Sequence, residues 1–374
     1  MSSVLLVNYE YPPIGAGAAN ATYNTALALV KLGIHPVVVT AAFGKNKGIT
    51  EEEGVSVFRI PAIRRHANKS NVLEMASYMI SLTMNLRRIY KTHRIHRAIV
   101  YFSFPCGPIG LFLRLFFKTR YIVLLRGGDV PGTEPHLRLT YWVLAPLRRL
   151  VFRFSQAVVA NSDGLANLSM HTDPYTVKVI PNGVNTDYWH PVAKAENGRF
   201  KMLFVGRLHS QKNVSFLLDE FATFRKSVPD SQLVLVGEGP DRKLLARQVV
   251  DLGIDNNIIW YGWASKQELR GLYQGSDCLI NPSVYEGMPN VLLEAMASGT
   301  PILASDSMGN NEIVEDMQSG FLFKLGDSPG FQKKLLLIYN RDINVNKMTI
   351  NARNKMVNSF SWESVAQQYL GCLA

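Results

Sequence analysis

Cysteine is scarce in this chain. Cys106, Cys278 and Cys372 are the only three in 374 residues, and they show none of the paired spacing of a metal site. An odd, sparse count excludes a disulfide framework and fits a reducing cytoplasm, where the three read as structural thiols. Long apolar runs are also missing. No stretch of about 20 apolar residues occurs, so no transmembrane helix is expected. The N-terminus lacks the basic region and cleavage site of a signal peptide, and its short Val4–Val7 run reads as a buried first strand. Acidic residues are short in one half only. Residues 1–190 carry 21 Lys and Arg against 10 Asp and Glu, whereas residues 191–374 carry 19 of each. The whole net charge of +11 therefore lies in the first half.

What is present fits a soluble enzyme of two domains. Hydrophobic residues make up 47% and charged residues 18%, and the length suffices for two cores. The basic excess of the first half suggests an acidic partner. Its cations alternate with apolar residues, as in Arg87-Arg88-Ile89-Tyr90-Lys91, Leu111–Lys118 and the segment from His136 to Phe154. That texture suits helices lying on an anionic membrane better than a nucleic-acid groove, so nucleic acid is not expected as a partner. An ordinary helix with a basic solvent face is the alternative. The expected location is the cytoplasm, with peripheral attachment to the inner face of the cell membrane as the further step.

Strand and helix patterns alternate along the chain. Strands are expected at Val4–Asn8, Val37–Thr40, Val55–Ile60, Ala98–Phe102, Tyr121–Leu125, Ala157–Ala160 and Val177–Ile180, with a helix from about Asn20 to Leu32. After a polar connection at Asn185–Gly198 the alternation restarts with Lys201–Val205, a helix from about Val214 to Lys226, then Leu233–Val236, Ile258–Trp260, Cys278–Ile280 and Pro301–Ala304. This α/β pattern implies two Rossmann-like, doubly wound parallel-sheet domains facing across a cleft, with ligands at the carboxyl ends of the strands. The domains are placed at 1–185 and 186–359, with a C-terminal helix at about 360–374 packing back on the first.

Four strand-end loops carry chemistry. In Pro12-Pro13-Ile14-Gly15-Ala16-Gly17 the glycines permit close backbone approach to a ligand before a helix start, or simply make a turn. The third glycine and the acidic residue of a dinucleotide fingerprint are lacking. In the second loop Arg207 and Lys212 stand five residues apart and suit a diphosphate, one as a planar fork and the other as a point charge. In the third, Gly237 and Gly239 are placed to line a base or ribose pocket. In the fourth, Glu286 and Glu294 stand eight positions apart across Gly287, Met288, Pro289, Asn290 and Val291, where a helix opens. Carboxylates on either side of an anion-binding helix start suit a ligand with both phosphates and hydroxyls, such as a nucleotide sugar.

On these motifs the chain resembles the retaining glycosyltransferases of family 4, the group 1 transferases with the two-domain GT-B fold. The matching pieces are Pro12–Gly17, Pro181-Asn182-Gly183-Val184-Asn185, Gly206–Leu208 with Lys212-Asn213, Val236–Pro240, and the run from Glu286 to Pro301. The resemblance implies that Glu294 binds ribose hydroxyls and Glu286 the transferred sugar. Arg207 and Lys212 would hold the diphosphate, and Gly15, Ala16 and Gly17 would close over phosphates and sugar. Backbone groups of Met288 to Val291 would add hydrogen bonds. It also implies retention of anomeric configuration and no metal or other cofactor; no Asp-x-Asp motif occurs here. Where many relatives carry a histidine near the sugar, this chain has Arg126, which cannot accept a proton at neutral pH. Arg126 could instead bind an acidic sugar, an acceptor phosphate or the Asp129 side chain, and Asp129 could orient a hydroxyl or act as base. His136 lies nearby and is placed on the solvent face of the next helix. Asn310 and Asn311 replace part of the usual Gly-Gly-x-x-Glu, with Glu312 in place.

The expected activity is transfer of a sugar from a UDP- or GDP-sugar to a membrane-associated glycolipid or polysaccharide in surface glycan synthesis, with the two domains closing over the sugar donor. The alternatives are a GT-B nucleotide-sugar epimerase or phosphorylase, and a non-catalytic nucleotide- or lipid-binding homologue.

Overall fold

The computed structural model describes residues 3–15, 17–66, 70–133, 138–193, 198–341 and 343–374. Ala16 and His136 lie outside them. The chain divides into two compact units, Met1–Gly183 with Trp362–Ala374, and Val184–Ser361.

The first unit is built on eight strands: β1 (Ser3–Val7), β2 (His35–Ala41), β3 (Gly48–Glu52), β4 (Val55–Ile60), β5 (Ile95–Tyr101), β6 (Arg120–Leu124), β7 (Ala157–Ala160) and β8 (Val177–Val179). They are ordered β3-β4-β2-β1-β5-β6-β7-β8. All pairings are parallel except β3 with β4. Central strands such as β1 are buried along their whole length, which is why they read as unbroken apolar runs. Alternate side chains feed two cores. Leu5 and Val7 join α2 (Val72–Thr92), α3 (Gly107–Phe117) and α4 (Arg138–Phe154) on one face. Val4 and Leu6 join α1 (Gly17–Lys31) and the chain's last helix, Trp362–Cys372, on the other. Helix α5 (Asp163–Thr172) precedes β8. An Asn71–Glu74 capping box satisfies the first amides of α2, which fixes where that helix begins.

The second unit has six parallel strands: β9 (Lys201–Val205), β10 (Gln232–Val236), β11 (Ile258–Gly262), β12 (Cys278–Asn281), β13 (Ile302–Ser305) and β14 (Phe321–Phe323), ordered β11-β10-β9-β12-β13-β14. Its helices are α6 (Val214–Ser227), α7 (Arg242–Asp251), α8 (Lys266–Gly275), α9 (Asn290–Ala297), α10 (Asn310–Ile313), α11 (Ser328–Tyr339) and α12 (Ile343–Ser359); the last helix is then α13. The chain passes from β9 to β10 on one side and returns to β12 on the other. The loops after β9 and β12 are therefore adjacent at a switch point, where open α/β sheets bind ligands.

Strands β3 and β14 depart from the sequence expectation. The first is a polar edge, Gly-Ile-Thr-Glu-Glu, anchored where Arg59 of β4 holds Glu52 with two hydrogen bonds. Its residues show no apolar alternation, because an edge strand needs none and charges there deter sheet-to-sheet pairing. The second is only three residues long.

Candidate functional site

The residues after β9, β10, β12 and β13 form one constellation in the second unit. Two glycine loops build its floor. Gly237, at φ +128°, lies so close to the Gly206 carbonyl that a Cβ would stand 2.0 Å from its oxygen. A Cβ on Gly239 would stand 2.1 Å from the Leu208 carbonyl oxygen. Leu208 N–H donates to Glu238 O (3.0 Å) and Gly206 N–H to Val236 O (2.9 Å), so the loops are locked backbone to backbone. These glycines serve close packing of the loops that present Arg207 and Lys212. Arg207 is exposed and makes no hydrogen bond or ion pair among the described residues. Lys212 ends a short 3₁₀ turn, Ser210–Lys212, and its ammonium is paired with Glu286. Gln211 ties that turn to the loop after β12, accepting from Val284 N–H and donating to Tyr285 O, both at 2.9 Å.

Glu286 is buried. Besides Lys212, its Oε1 faces Ser283 Oγ at 2.7 Å, and its own amide donates to Met308 O at 2.9 Å. Behind it lies a buried polar cluster that the sequence pattern did not reveal. Asn310, fully inaccessible, accepts from Asn281 Nδ2 (2.8 Å) and donates from Nδ2 to Ser305 Oγ (2.9 Å) and Ser305 O (3.2 Å). Ser305 and Ser307 hydroxyls both donate to Ser283 O, at 2.5 and 2.9 Å. Asn310 thus fastens β12, β13 and the Glu286 loop together. Asn311 is a different case, its side-chain amide donating to Asp306 Oδ1 (3.0 Å) at an exposed position. Gly309, at φ +87°, is the other signal. A Cβ there would stand 2.6 Å from the Glu286 carbonyl oxygen.

Helix α9 starts at Asn290 after Pro289, which supplies no side-chain cap. Gly287 is exposed, while Met288, Asn290 and Val291 are half-buried beside this start. Gly299, at φ +73°, closes the helix. Glu294 stands in its second turn and accepts a hydrogen bond from Tyr273 Oη at 3.0 Å. Desolvation pushes the Glu294 carboxyl up to about 7, although Tyr273 and Lys266 favour its ionised form. Burial, with Glu294 beside it, raises the Tyr273 hydroxyl well above its usual range, so it remains a hydrogen-bond donor.

In the first unit, Gly15 takes φ +89° against the Glu10 side chain, and Gly17 opens α1 with free space around its Cα. The loop is braced from below by Asn8, which donates to Thr22 Oγ1 (2.7 Å) and accepts from Glu10 N–H (3.0 Å). Asp129 is buried, with both carboxylate oxygens occupied by backbone amides: Ser103 N–H at 2.6 Å, Arg126 N–H at 2.9 Å and Gly127 N–H at 3.2 Å. Burial raises its pKa despite those bonds. The Arg126 side chain turns away from it. Its guanidinium donates to Asn182 Oδ1 (2.7 Å) and Tyr369 Oη (3.2 Å) and lies over the Tyr101 ring, 5.1 Å from the centroid. The expected alternative of an Arg126–Asp129 side-chain pair is not formed. Arg126 instead clamps the Asn182 turn to α13, and Gly183 packs on the Trp362 ring.

The basic segments form helices with exposed apolar residues. On α4, Leu139, Trp142 and Val143 are 73%, 74% and 60% exposed, with Arg149 and Arg153 also outside. Arg148 faces inward and, with Arg149, binds the buried Asp173 (2.7 and 3.1 Å). Between α2 and α3 runs a groove of about 550 Å³, lined by Met84, Leu86, Arg87, Phe112, Phe116 and Phe117 among others. No described helix is long and apolar enough to cross a membrane.

Two Rossmann-like units in succession, with their polar loops at the carboxyl ends of parallel strands, define the GT-B class of fold. Sucrose-phosphate synthase from Thermosynechococcus elongatus shares it at a TM-score of 0.76 and 20% identity, covering 100% of this chain and 98% of that one. The sequence profile described as "Glycosyl transferases group 1" matches residues 185–355, and that described as "Glycosyl transferase 4-like domain" matches residues 16–183. The chain belongs to the group 1 glycosyltransferase family. It is 30% identical to the uncharacterized glycosyltransferase MJ1607 of Methanocaldococcus jannaschii over 98% of this chain and 96% of that one. It is 31% identical over 205 residues to the UDP-Gal:alpha-D-GlcNAc-diphosphoundecaprenol alpha-1,3-galactosyltransferase of Escherichia coli, 51% of this chain and 52% of that one. The chain thus spans about half the length of curated relatives such as that galactosyltransferase.

Proposed function

We propose that this protein transfers a sugar, with retention and without a metal, from a UDP- or GDP-sugar to a membrane-associated glycolipid or polysaccharide. The observation that carries this reading is the meeting of Lys212 and Glu286 at the switch point of one parallel sheet, with Arg207 in the loop before Lys212 and Glu294 on the helix after Glu286. Glu294, held by Tyr273, suits two ribose hydroxyls. Arg207 has no competing protein partner among the described residues and suits a diphosphate, with Lys212 and the dipole at the start of α9 adding positive potential. These groups accelerate the reaction where their hydrogen bonds strengthen as charge develops on the departing diphosphate. Glu286 suits hydroxyls of the transferred sugar. A lipid-linked acceptor agrees with the name of the Escherichia coli relative and with the basic, apolar exteriors of α2, α3 and α4.

Thermal-shift measurement with UDP, GDP and inorganic phosphate tests the reading. Stabilisation by one nucleotide is expected, unchanged by EDTA. A response to phosphate alone points to a phosphorylase, and no response to any nucleotide sinks the proposal. Glu294→Ala should weaken nucleotide binding, whereas Glu286→Ala should mainly depress turnover. Membrane contact is tested by co-sedimentation with anionic vesicles. The Leu139→Ser/Trp142→Ser/Arg153→Glu variant should lose binding while nucleotide affinity stays unchanged.

A further inference from the structure

Lys212 and Glu286 are both expected to face the sugar donor, yet in this structure they are bound to each other. The surroundings make this pairing more than a chance contact. Ser283 Oγ lies 2.7 Å from Glu286 Oε1 and also 2.7 Å from Asn281 Oδ1. A hydroxyl has one proton, so Ser283 donates to one of these oxygens at a time. The orientation of Asn281 is fixed from further inside. The Ser305 carbonyl can only accept, so it holds the amide nitrogen of Asn310 (3.2 Å). Asn310 Oδ1 is thereby turned to Asn281 Nδ2 (2.8 Å), which leaves Asn281 Oδ1 facing Ser283. Asn281, Ser283, Ser305 and Asn310 are all buried, so water offers no substitute. While Ser283 gives its proton to Asn281, the charge on Glu286 Oε1 is met, among the described residues, by Lys212 alone.

We propose that Lys212 is a shared counter-ion, held by Glu286 until the sugar donor binds and then drawn to its diphosphate. Ser283 then rotates its proton from Asn281 to Glu286, replacing the lost hydrogen bond. Glu286 is thereby released to accept from the sugar only once a diphosphate is in place. This inference rests on the donor-site reading above. It sets Glu286 and the diphosphate in competition for one ammonium, so the protein's own carboxylate opposes nucleotide binding.

Calorimetric titration of the full chain with UDP, GDP and the matching nucleosides tests it. Glu286→Gln keeps the shape and removes the competitor. It should bind the nucleoside diphosphate about fivefold or more tightly than wild type, the order expected for releasing a partly buried ion pair. Affinity for the nucleoside should not change. In a Lys212→Met background, Glu286→Gln should give no gain, because no ammonium remains to be released; melting curves of all four proteins confirm folding. Equal or weaker diphosphate binding by Glu286→Gln overturns the exchange while leaving the donor-site reading intact. Failure of wild type to bind either nucleotide overturns that reading and the exchange with it.

Discussion

Glu294, as the proposed ribose clamp, ties stability and ligand binding to pH in opposite senses. Its carboxyl rises from 4.5 in the unfolded reference to about 7 in the folded protein, chiefly through desolvation. Between those values the folded chain keeps a proton that the unfolded chain releases. Stability therefore falls as pH rises through this window and stays lower above it, by about 3 kcal/mol in all. Glu294→Gln removes the ionisation and keeps an oxygen to accept from Tyr273. Near pH 4.5 variant and wild type should melt together. Above neutrality the variant should melt several degrees higher, at roughly 2–4 °C per kcal/mol for a unit of this size. Binding should show the reverse. Ribose hydroxyls donate to an ionised carboxylate, so wild-type affinity for a UDP- or GDP-sugar should rise about tenfold between about pH 6 and about pH 8. A nucleotide sugar is the suitable ligand because its phosphates do not titrate near neutrality. Scanning calorimetry and titration calorimetry across this range measure both effects. The reasoning is refuted if the difference in melting temperature is the same at all pH values, or if wild-type affinity is flat.

Three further perturbations follow from the packing. Asn310→Ala strands the Asn281 amide in a dry interior, at about 1–3 kcal/mol, while the Ser305 carbonyl keeps the Ser307 N–H at 2.9 Å. Urea unfolding should show a loss of about 1–3 kcal/mol. Gly237→Ala places a methyl group 2.0 Å from the Gly206 oxygen at φ +128°. It should separate the two loops and lose nucleotide affinity at least tenfold by titration, about 1.4 kcal/mol, even where the fold survives by circular dichroism. Asp173→Ala leaves the buried Arg148 without its anion and should cost about 3–5 kcal/mol in chemical denaturation.

The two parallel sheets were legible because strands covered on both faces must be apolar at nearly every position. Val55–Ile60, Ala157–Ala160 and Lys201–Val205 occupy the expected residues. Strand β3 was hidden because its partner lies on one side only and its side chains face water. Among the candidate residues, Gly237 and Gly239 showed their conformational demand as glycines, but not that the demand comes from carbonyls of a neighbouring loop. Asn310 looked like a departure from a family pattern. Its importance is a matter of burial and of five polar groups converging on one amide, which spacing along a chain does not encode.

Local sequence determined which segments become strands and helices, where α2 and α9 begin, and which residue types stand at strand ends. Those properties depend on neighbours a few positions away, through propensity, capping and periodicity. Tertiary structure decided the pairing of charges. Lys212 meets Glu286 74 positions on, and Arg148 meets Asp173 25 positions on. A charge takes whichever counter-charge folding brings within a few ångströms, and in a desolvated site that choice outweighs the residue's intrinsic character. The same desolvation, invisible in the bare motif, makes Glu294 a group that titrates near neutrality.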